Sequence, residues 1–337
     1  MPAHVHFWTR HPEAIEPWDP DTEPGLHLTA YGHAFLELFH RMRADGRSVT
    51  IGPVIARKTS SVVVSMEELV AHQPQIPARM TLRLGAALLR ARRRPAVVVL
   101  RVDTELSVRA PMFTTLEAMP TRASVHRSRQ RVLPLLPQRG LHPRDASRGD
   151  SLRVIALKAY SYNVPDWMGP DFIRALNDLG LSLRIDTERD GRWEDFTDVD
   201  AVLCTHPARA DPLSKPPTKL VAAWRAGAIP VCGPYVGYLE TGRDGETMVV
   251  ASSDSAEDYL DALRTLSRTP QLSERVRSAL PAAAAAYAPD RVLRLNWEAF
   301  IAAPRLRFLR VIGAVLLAAP GAALSRLRRV LRTNASR

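Results

Sequence analysis

Short runs of β-branched residues alternate with helical stretches along most of this 337-residue chain. HVHFWTR, SSVVVS and PAVVVLRVD have the composition of strands buried in a parallel sheet, and amphipathic stretches separate them. From Leu152 the pattern restarts, with LRVIALKAY, DVDAVLCTH and AIPVCG as strands. Strands that alternate with helices are typical of doubly wound α/β domains, so the sequence predicts two tandem Rossmann-like domains.

A segment dense in proline, glycine and charge, RVLPLLPQRGLHPRDASRGD, separates the two halves and suits an interdomain linker. We therefore expect an N-terminal domain over residues 1–150, a C-terminal domain over residues 151–303, and a basic, apolar tail over residues 304–337. The predicted junction lies near Gly149–Asp150, with a cleft between the domains.

Cysteine content and hydropathy indicate the compartment. Cys204 and Cys232 are the only cysteines, too few for a disulfide framework and suited to a reducing environment. The N-terminus lacks the charged and apolar segments of a secretory leader. No run reaches the roughly 18–20 apolar residues that a spanning helix needs. We expect a cytoplasmic protein.

The net charge of +11 is distributed unevenly along the chain. Residues 79–148 contain 15 arginines and four acidic residues, and residues 305–337 contain eight arginines and no acid. Residues 151–304 are mildly acidic. This segregation indicates an anionic partner for the basic parts of the molecule.

Lysine is rare, and two of the four lysines, Lys215 and Lys219, stand just before a predicted helix. They follow the strand that ends at Cys204, and parallel α/β sheets bind ligands at the carboxyl ends of their strands. Pro216 and Pro217 suit a first helical turn, whose amides form an anion site. One interpretation is a phosphorylated ligand held by the two lysines. The other is a pair of ordinary solvated charges.

The sequence that follows these lysines carries a resemblance to a known family. The matching features are, in order, Ala226–Gly227, Pro230–Val231, the turn Gly233–Gly237, Glu240, Asp244–Gly245–Glu246, the strand Met248–Ala251, Asp254 and Pro270–Leu272. Together they resemble the donor-binding domain of "group 1" glycosyltransferases with the GT-B fold. More loosely, residues 16–38, with Gly25 and Gly32, resemble the glycine loop before the first helix of that family.

The resemblance implies transfer of a sugar from a nucleoside diphosphate-sugar to a hydroxyl acceptor, with no metal ion and no bound cofactor. It implies that the diphosphate lies near Lys215, Thr218 and Lys219. Glu240 is a candidate to bond a sugar hydroxyl, and capping of the next helical turn is the alternative. The remaining candidates for donor binding are Gly233, Tyr235, Tyr238 and His206. The alternative interpretation of His206 is an ordinary, solvent-exposed loop residue.

Two glutamates that this family usually carries, eight residues apart, are missing. By the resemblance they would stand at Ser214, near the donor sugar, and at Ala222, near the nucleotide ribose. Lys215 and Lys219 lie between these positions and could compensate by holding the diphosphate more strongly. The competing interpretation is a non-catalytic nucleotide- or glycan-binding protein on a glycosyltransferase scaffold.

The N-terminal domain should present the acceptor and any general base, which must lie within hydrogen-bond reach of the acceptor hydroxyl. His33 follows Gly32 at the start of the first predicted helix, and Asp103 follows the strand VVVLRV. Both are candidates. The sequence shows no Cys/His zinc pattern, no Gly-x-Ser-x-Gly elbow and no Walker-type phosphate loop.

The tail contains a 14-residue apolar stretch, Val311–Leu324, which is broken by Pro320–Gly321 and flanked by arginines. It is too short to span a membrane but suits an interface with anionic headgroups, and packing on the N-terminal domain is the alternative. In the arginine-rich segment 79–94, arginines are interleaved with Met80 and leucines rather than with aromatic residues, which favours a lipid surface over nucleic acid. The expected acceptor is then a lipid-linked or envelope glycan at the inner face of the cell membrane.

Overall fold

The computed structural model describes residues 3–10, 32–70, 77–90, 94–102, 108–188, 192–206, 213, 215–306 and 311. The chain packs as two compact units. The first comprises Met1–Pro134 and Leu293–Arg337, and the second comprises Leu135–Val292. Each unit is built on one parallel β-sheet with flanking helices.

The first unit has a six-stranded sheet. Its strands are β1 (Val5–Trp8), β2 (Val49–Gly52), β3 (Ser61–Ser65), β4 (Ala96–Leu100), β5 (Leu116–Met119) and β6 (Gln130–Val132). They lie in the order β2-β1-β3-β4-β5-β6, and all neighbouring strands are parallel. Its described helices are α1 (Glu37–Ala44), preceded by a π-helical turn at Gly32–Leu36, α2 (Met66–Val70) and α3 (Pro77–Arg90).

The second unit has a five-stranded sheet. Its strands are β7 (Val154–Lys158), β8 (Ser182–Asp186), β9 (Ala201–Cys204), β10 (Ile229–Cys232) and β11 (Val249–Val250), in the order β11-β10-β9-β7-β8. Its helices are α4 (Pro170–Asp178), α5 (Thr218–Ala226), α6 (Val236–Leu239), α7 (Ala256–Arg268) and α8 (Pro270–Ala285). A further helix, α9 (Pro289–Ala302), begins here and continues into the first unit.

The predicted pair of parallel α/β sheets is confirmed. β3 and β4 in the first sheet, and β9 and β10 in the second, are buried along their whole length. A strand that is buried on both faces has no solvent-facing positions, which is why these segments are continuous apolar runs. β6 and β7 belong to different sheets, so no single sheet crosses the predicted linker.

The boundary between the units lies before the predicted junction near Gly149–Asp150. Residues 135–150 pack with the second unit. They do so because the buried carboxylate of Asp200 accepts hydrogen bonds from Nε of Arg144 and Nε of Arg148, at 3.0 and 2.9 Å. The composition that suggested a linker therefore belongs to a segment held in place by a buried ion-pair cluster.

Helix α9 carries the chain back into the first unit. The hydroxyl of Ser61 in β3 donates a hydrogen bond to the carbonyl oxygen of Phe300 at 2.5 Å. Leu306 and Val311 are buried in the core of the same unit. The predicted tail, residues 304–337, therefore begins inside a core, and the rest of its apolar stretch lies outside the described residues.

Gly227 terminates α5 in the left-handed conformation, with a φ of +73°. Gly227→Ala should lower the free energy of unfolding by about 1 kcal/mol, because an L side chain is strained at this φ. An added Cβ would have no other atom within 4 Å, so no clash contributes. Gly169→Ala is the matched control, since Gly169 has equally open space and a φ of −82°. Urea unfolding should show the loss in the first variant alone, and equal stabilities would contradict this explanation.

Candidate functional site

Two neighbouring strands of the second sheet end at the same edge, and polar or glycine residues follow both. β9 ends at Cys204 and leads into Thr205 and His206, while β10 ends at Cys232 and leads into Gly233. The two cysteines are register partners in this parallel pair. Open α/β sheets bind ligands outside the carboxyl ends of their strands. This edge is therefore the candidate site.

The first turn of α5 is tied to the end of β9. Lys219, the second residue of α5, donates a hydrogen bond from Nζ to the carbonyl oxygen of Thr205 at 2.7 Å. The first backbone amides of a helix have no acceptor within the helix and carry partial positive charge. The ammonium group therefore lies beside a helix terminus that itself favours an anion.

His206 lies in the field of both lysines of this segment. Its side chain is buried. Burial, followed by the positive charges of Lys219 and Lys215, holds the pKa of His206 well below its usual range. The imidazole is therefore neutral at physiological pH. Because both ammonium groups act on the same ring, the two positive charges are concentrated at this edge of the sheet.

Asp254, just before α7, holds the loop that follows β9. Its Oδ1 accepts a hydrogen bond from the hydroxyl of Thr205 at 2.7 Å, and its Oδ2 accepts one from the hydroxyl of Tyr235 at 2.6 Å. The Tyr235 oxygen in turn accepts a bond from the backbone amide of His206 at 3.3 Å. Burial and the Asp254 charge raise the pKa of Tyr235, so its hydroxyl stays protonated. Asp254 thus holds Thr205 and Tyr235 in place.

Tyrosine side chains fix the imidazole of His206. The ring of Tyr238 stacks on it, with centroids 5.5 Å apart and planes 15° apart, and the Tyr238 oxygen lies 2.9 Å from His206 Nε2. The ring of Tyr235 packs edge-on at 4.8 Å. Tyr259 donates to the carbonyl oxygen of Cys204 at 3.1 Å and so braces the end of β9. These contacts fix the imidazole and the end of β9 in place.

Gly233 leaves room for two of these tyrosines. A Cβ at this position would lie 2.7 Å from Cε2 of Tyr235 and 2.9 Å from the hydroxyl oxygen of Tyr259. Both distances are shorter than van der Waals contact, so a side chain here would displace one ring. The glycine therefore permits a close approach of the loop after β10 to the aromatic cluster.

Lys158 also ends a strand of this sheet, but its ammonium group is fully used. Nζ donates to Asp186 Oδ2 at 2.7 Å and to the carbonyl oxygens of Arg192 and Asp195 at 2.7 and 2.9 Å. An ammonium group has three N–H donors. Lys158 thus supports the interior of the unit and has no donor left for a ligand.

No protein-family profile matches the chain, and no curated protein is significantly similar to it. Solved structures do match. Anabaena HepE, in complex with UDP and glucose, gives a TM-score of 0.54 at 11% identity, over 88% of this chain and 98% of HepE. AviGT4, a glycosyltransferase involved in avilamycin A biosynthesis, gives 0.51 at 13% identity, over 91% and 100%. WaaG, a glycosyltransferase involved in lipopolysaccharide biosynthesis, gives 0.50 at 14% identity, over 88% and 98%.

These three proteins are GT-B glycosyltransferases, and this chain matches each of them over nearly its whole length. The chain has the GT-B fold. At these identities the likeness concerns the GT-B fold alone. The roles of individual residues therefore rest on the contacts within this chain.

Within the GT-B fold, the residues predicted to bind the donor gather at the carboxyl edge of the second sheet. Thr218 is the first residue of α5. The remaining predicted donor-binding residues take part in the contacts described above or lie next to residues that do. They are Lys215, Lys219, His206, Gly233, Tyr235 and Tyr238. His206 is buried and not an exposed loop residue.

The three predicted catalytic residues are less well placed or lie outside the described residues. Glu240 is exposed and follows α6, where its amide donates to the carbonyl oxygen of Val236 at 2.9 Å. His33 belongs to the π-helical turn, and its side chain is outside the described part of the chain. Asp103 is also outside it. Their catalytic roles stay predictions.

Of the two positions at which the resemblance predicts a glutamate, the structure describes one. Ala222 lies on α5 with 6% of its surface exposed and packs in the core of the second unit. Ser214 is outside the described residues. Alanine has no polar side-chain group, so the role that the resemblance gives to a glutamate has no counterpart at position 222.

Sequence reasoning missed the supporting roles of Thr205, Asp254 and Tyr259. Thr205 directly follows a buried strand and could have been found by that placement. Asp254 is 49 residues further along the chain, and the sequence offers no signal that its carboxylate meets the Thr205 hydroxyl. Such pairings between distant segments emerge only from the fold.

The imidazole of His206 should remain neutral across the physiological range. Because the pKa of His206 is lowered in the folded chain, the unfolded chain binds the proton more readily. The free energy of unfolding therefore decreases as the pH falls below the ordinary histidine value of about 6.5. In histidine NMR spectra recorded from pH 8 to pH 5, a resonance that does not titrate should disappear in His206→Asn. His6, whose pKa burial lowers to about 4, should keep a non-titrating resonance of its own. A titration midpoint near 6.5 for the His206 resonance would contradict the claim that burial and the two lysine charges lower the pKa of His206.

Two further features can be stated for the described residues. No three side chains of His, Cys, Asp or Glu are grouped in a way that could hold a metal ion. None of the helices described here combines the length and apolar character needed to cross a membrane. The expectations of metal-independent chemistry and of no bound cofactor stay predictions.

Proposed function

We propose that the chain is a glycosyltransferase that moves a sugar from a nucleoside diphosphate-sugar to a hydroxyl acceptor. One observation carries the proposal. Lys215, Lys219 and the amino terminus of α5 concentrate positive charge at the carboxyl edge of the second sheet of a GT-B fold. The structural neighbour HepE has been solved with UDP and with UDP-glucose.

The leaving group of such a reaction is a diphosphate, which gains negative charge as the sugar departs. Groups that stabilise this developing charge lower the barrier, and they are most effective when already in place. The hydrogen bond from Lys219 to the carbonyl of Thr205 fixes the ammonium group before the donor binds. The amide dipoles of α5 add to the same field.

The tyrosine and histidine cluster would hold the remainder of the donor. Neutral His206, locked against Tyr238, presents an imidazole of fixed orientation rather than a third positive charge. Asp254 keeps Thr205 and Tyr235 in position. In this proposal these groups orient the donor, since correct positioning of reactants supplies much of the rate enhancement in bimolecular transfer.

The second candidate is a non-catalytic nucleotide- or glycan-binding protein on the same scaffold. The buried Ala222 favours it, because the carboxylate expected there by resemblance is absent. Both candidates need a nucleotide site, so binding alone does not separate them. Turnover does.

The experiment has two stages. Calorimetric titration with UDP, GDP, ADP and dTDP should reveal at least one nucleoside diphosphate that binds the full chain. The matching nucleotide-sugars are then incubated with the protein, with EDTA present, and release of the nucleotide is measured. Slow release above the buffer rate supports a metal-independent transferase. Binding without release, both with EDTA and with added Mg²⁺, supports the binding protein, and no binding of any nucleotide contradicts both.

The acceptor proposal rests on the basic tail. We propose a lipid-linked or envelope glycan, with the chain in the cytoplasm and on the inner face of the membrane, and no role for nucleic acid. Since Leu306 and Val311 are core residues, truncation at Ala303 would damage the fold, and charge substitution is the better test. Arg326→Gln, Arg328→Gln and Arg329→Gln together should weaken salt-sensitive sedimentation with anionic liposomes. Unchanged sedimentation, or tighter retention on RNA than on liposomes, would contradict the membrane role.

A further inference from the structure

A polar cavity lies in the first unit. Its volume is about 310 Å³, at the lower end of the range of about 300–1,000 Å³ that is usual for small-molecule pockets. Its polar lining consists of Thr114, Thr115, Ser128, Arg129, Arg131 and Arg305.

This cavity is at the amino-terminal edge of the first sheet. Thr114 and Thr115 directly precede β5, and Ser128 and Arg129 directly precede β6. Arg305 follows the end of α9. Open α/β sheets bind their substrates at the opposite, carboxyl-terminal edge. The cavity is therefore not part of the edge at which this unit would receive an acceptor.

The cavity is strongly positive. Three arginines line it, and its lining contains no acidic side chain. The nearby carboxylate of Glu117 is already neutralised, because Arg129 pairs with it at 2.7 Å and Arg101 lies 3.7 Å away. Arg131 and Arg305 are exposed, and neither forms an ion pair with another described residue. Their charge is thus uncompensated at the mouth of the cavity.

One buried hydroxyl in the lining lacks a partner. Thr115 is satisfied, since its Oγ1 accepts from the amide of Val97 at 2.8 Å. Thr114 is fully buried, and its Oγ1 has no hydrogen-bond partner among the described residues. The Thr114 hydroxyl has no accessible surface, so it lies behind the cavity wall and is not a donor to a ligand in the cavity.

We propose that this cavity binds a phosphate-class dianion, such as a phosphomonoester. Guanidinium groups bind phosphate oxygens through paired N–H donors, and hydroxyl groups complete such sites. Arg131 and Arg305 supply the charge, and the exposed hydroxyl of Ser128 supplies a neutral donor. The phosphate belongs either to a free metabolite or to a lipid headgroup. The proposal is independent of the glycosyltransferase activity.

The test measures binding of inorganic phosphate to the full chain by calorimetry. It uses Lys219→Ala protein, so that phosphate at the α5 terminus does not contribute. The double variant Arg131→Gln/Arg305→Gln should bind at least about tenfold more weakly, the loss expected when charged hydrogen bonds are removed. Arg43→Gln/Arg109→Gln is the matched control, because both residues are exposed arginines of the first unit outside the cavity. Equal weakening in both double variants, or no phosphate binding at all, overturns the proposal.

A second arm identifies the source of the phosphate. Vesicles of phosphatidylcholine with phosphatidic acid are compared with phosphatidylcholine vesicles alone. Cosedimentation that depends on phosphatidic acid and on Arg131 and Arg305 assigns the site to a lipid headgroup. Phosphate binding that depends on Arg131 and Arg305, together with cosedimentation that does not depend on them, assigns it to a free metabolite. Ser128→Ala should weaken phosphate binding without changing the charge, and full affinity in this variant would contradict the part given to its hydroxyl.

Discussion

Asp200→Ala should lower the free energy of unfolding of the second unit by about 3–5 kcal/mol, the range for removal of one partner from a buried ion pair. The Asp200 side chain is inaccessible to solvent and binds two arginines, with Arg144 at 2.9 Å and Arg148 at 2.8 Å. It also accepts the backbone amides of Arg153 and Val154 at 2.9 and 3.0 Å. The alanine would leave guanidinium groups and amides without their acceptor.

Native-state hydrogen exchange at the amides of β7 and β9 measures this loss within the second unit alone. Asp261→Ala is the matched control, because that carboxylate is 58% exposed and pairs with Arg264 one helical turn away. Exposed pairs of this kind contribute at most about 1 kcal/mol. If the two variants lose the same amount of stability, the Asp200 cluster does not join residues 135–150 to the second unit.

The Asp200 carboxylate should also make the free energy of unfolding depend on pH in the acid range. Burial alone would raise the pKa of Asp200, but the hydrogen bonds from Arg148, from the amides of Val154 and Arg153, and from Arg144 outweigh it and lower the pKa to about 2. Stability from this group is therefore complete above about pH 4 and is lost as the pH falls towards 2. The contribution is about 2 kcal/mol, and Asp200→Asn should flatten that part of the pH profile.

Lys219→Ala should weaken nucleoside diphosphate binding by about 10- to 100-fold, because it removes a charged donor from the diphosphate and loosens the end of β9. A charged hydrogen bond contributes about 1.5–3 kcal/mol, and each 1.4 kcal/mol is a factor of ten in affinity. The bond to the Thr205 carbonyl, at 2.7 Å, holds that donor in place. Calorimetric titration with the nucleotide that binds the unaltered protein gives the ratio.

Lys58→Ala is the control for this substitution. Lys58 is exposed in the first unit, and its substitution by alanine also removes one positive charge from a lysine-poor chain. Its affinity for the nucleotide should equal that of the unaltered protein. Equal weakening in both variants would mean that net charge, and not the position of Lys219, governs binding.

The fold was accessible from the sequence because burial leaves a strong local signature. Continuous apolar runs such as Val97–Val99 are what strands covered on both faces require, and their alternation with helices restricts the topology. The start of α5 was accessible from a different local signal, because Pro216 and Pro217 immediately precede it. The position of the candidate edge follows from these two features together.

The contacts that stabilise the site were not accessible in this way. Asp254 meets Thr205 and Tyr235 across long stretches of sequence, and each of the three residues has an ordinary local setting. The return of α9 to the first unit and the packing of residues 135–150 on the second are likewise set by distant partners. The linker prediction used composition, which reports how irregular a segment is and not what holds it.

The central claim is that a nucleoside diphosphate binds at the carboxyl edge of the second sheet. A crystal structure of the protein with the nucleoside diphosphate that binds it most tightly tests this claim most directly. We predict diphosphate oxygens within hydrogen-bond distance of Lys219 Nζ and of the first backbone amides of α5, with the cluster of His206 and Tyr235 beside them. A diphosphate bound at any other place in the chain, with this edge unoccupied, would contradict the claim.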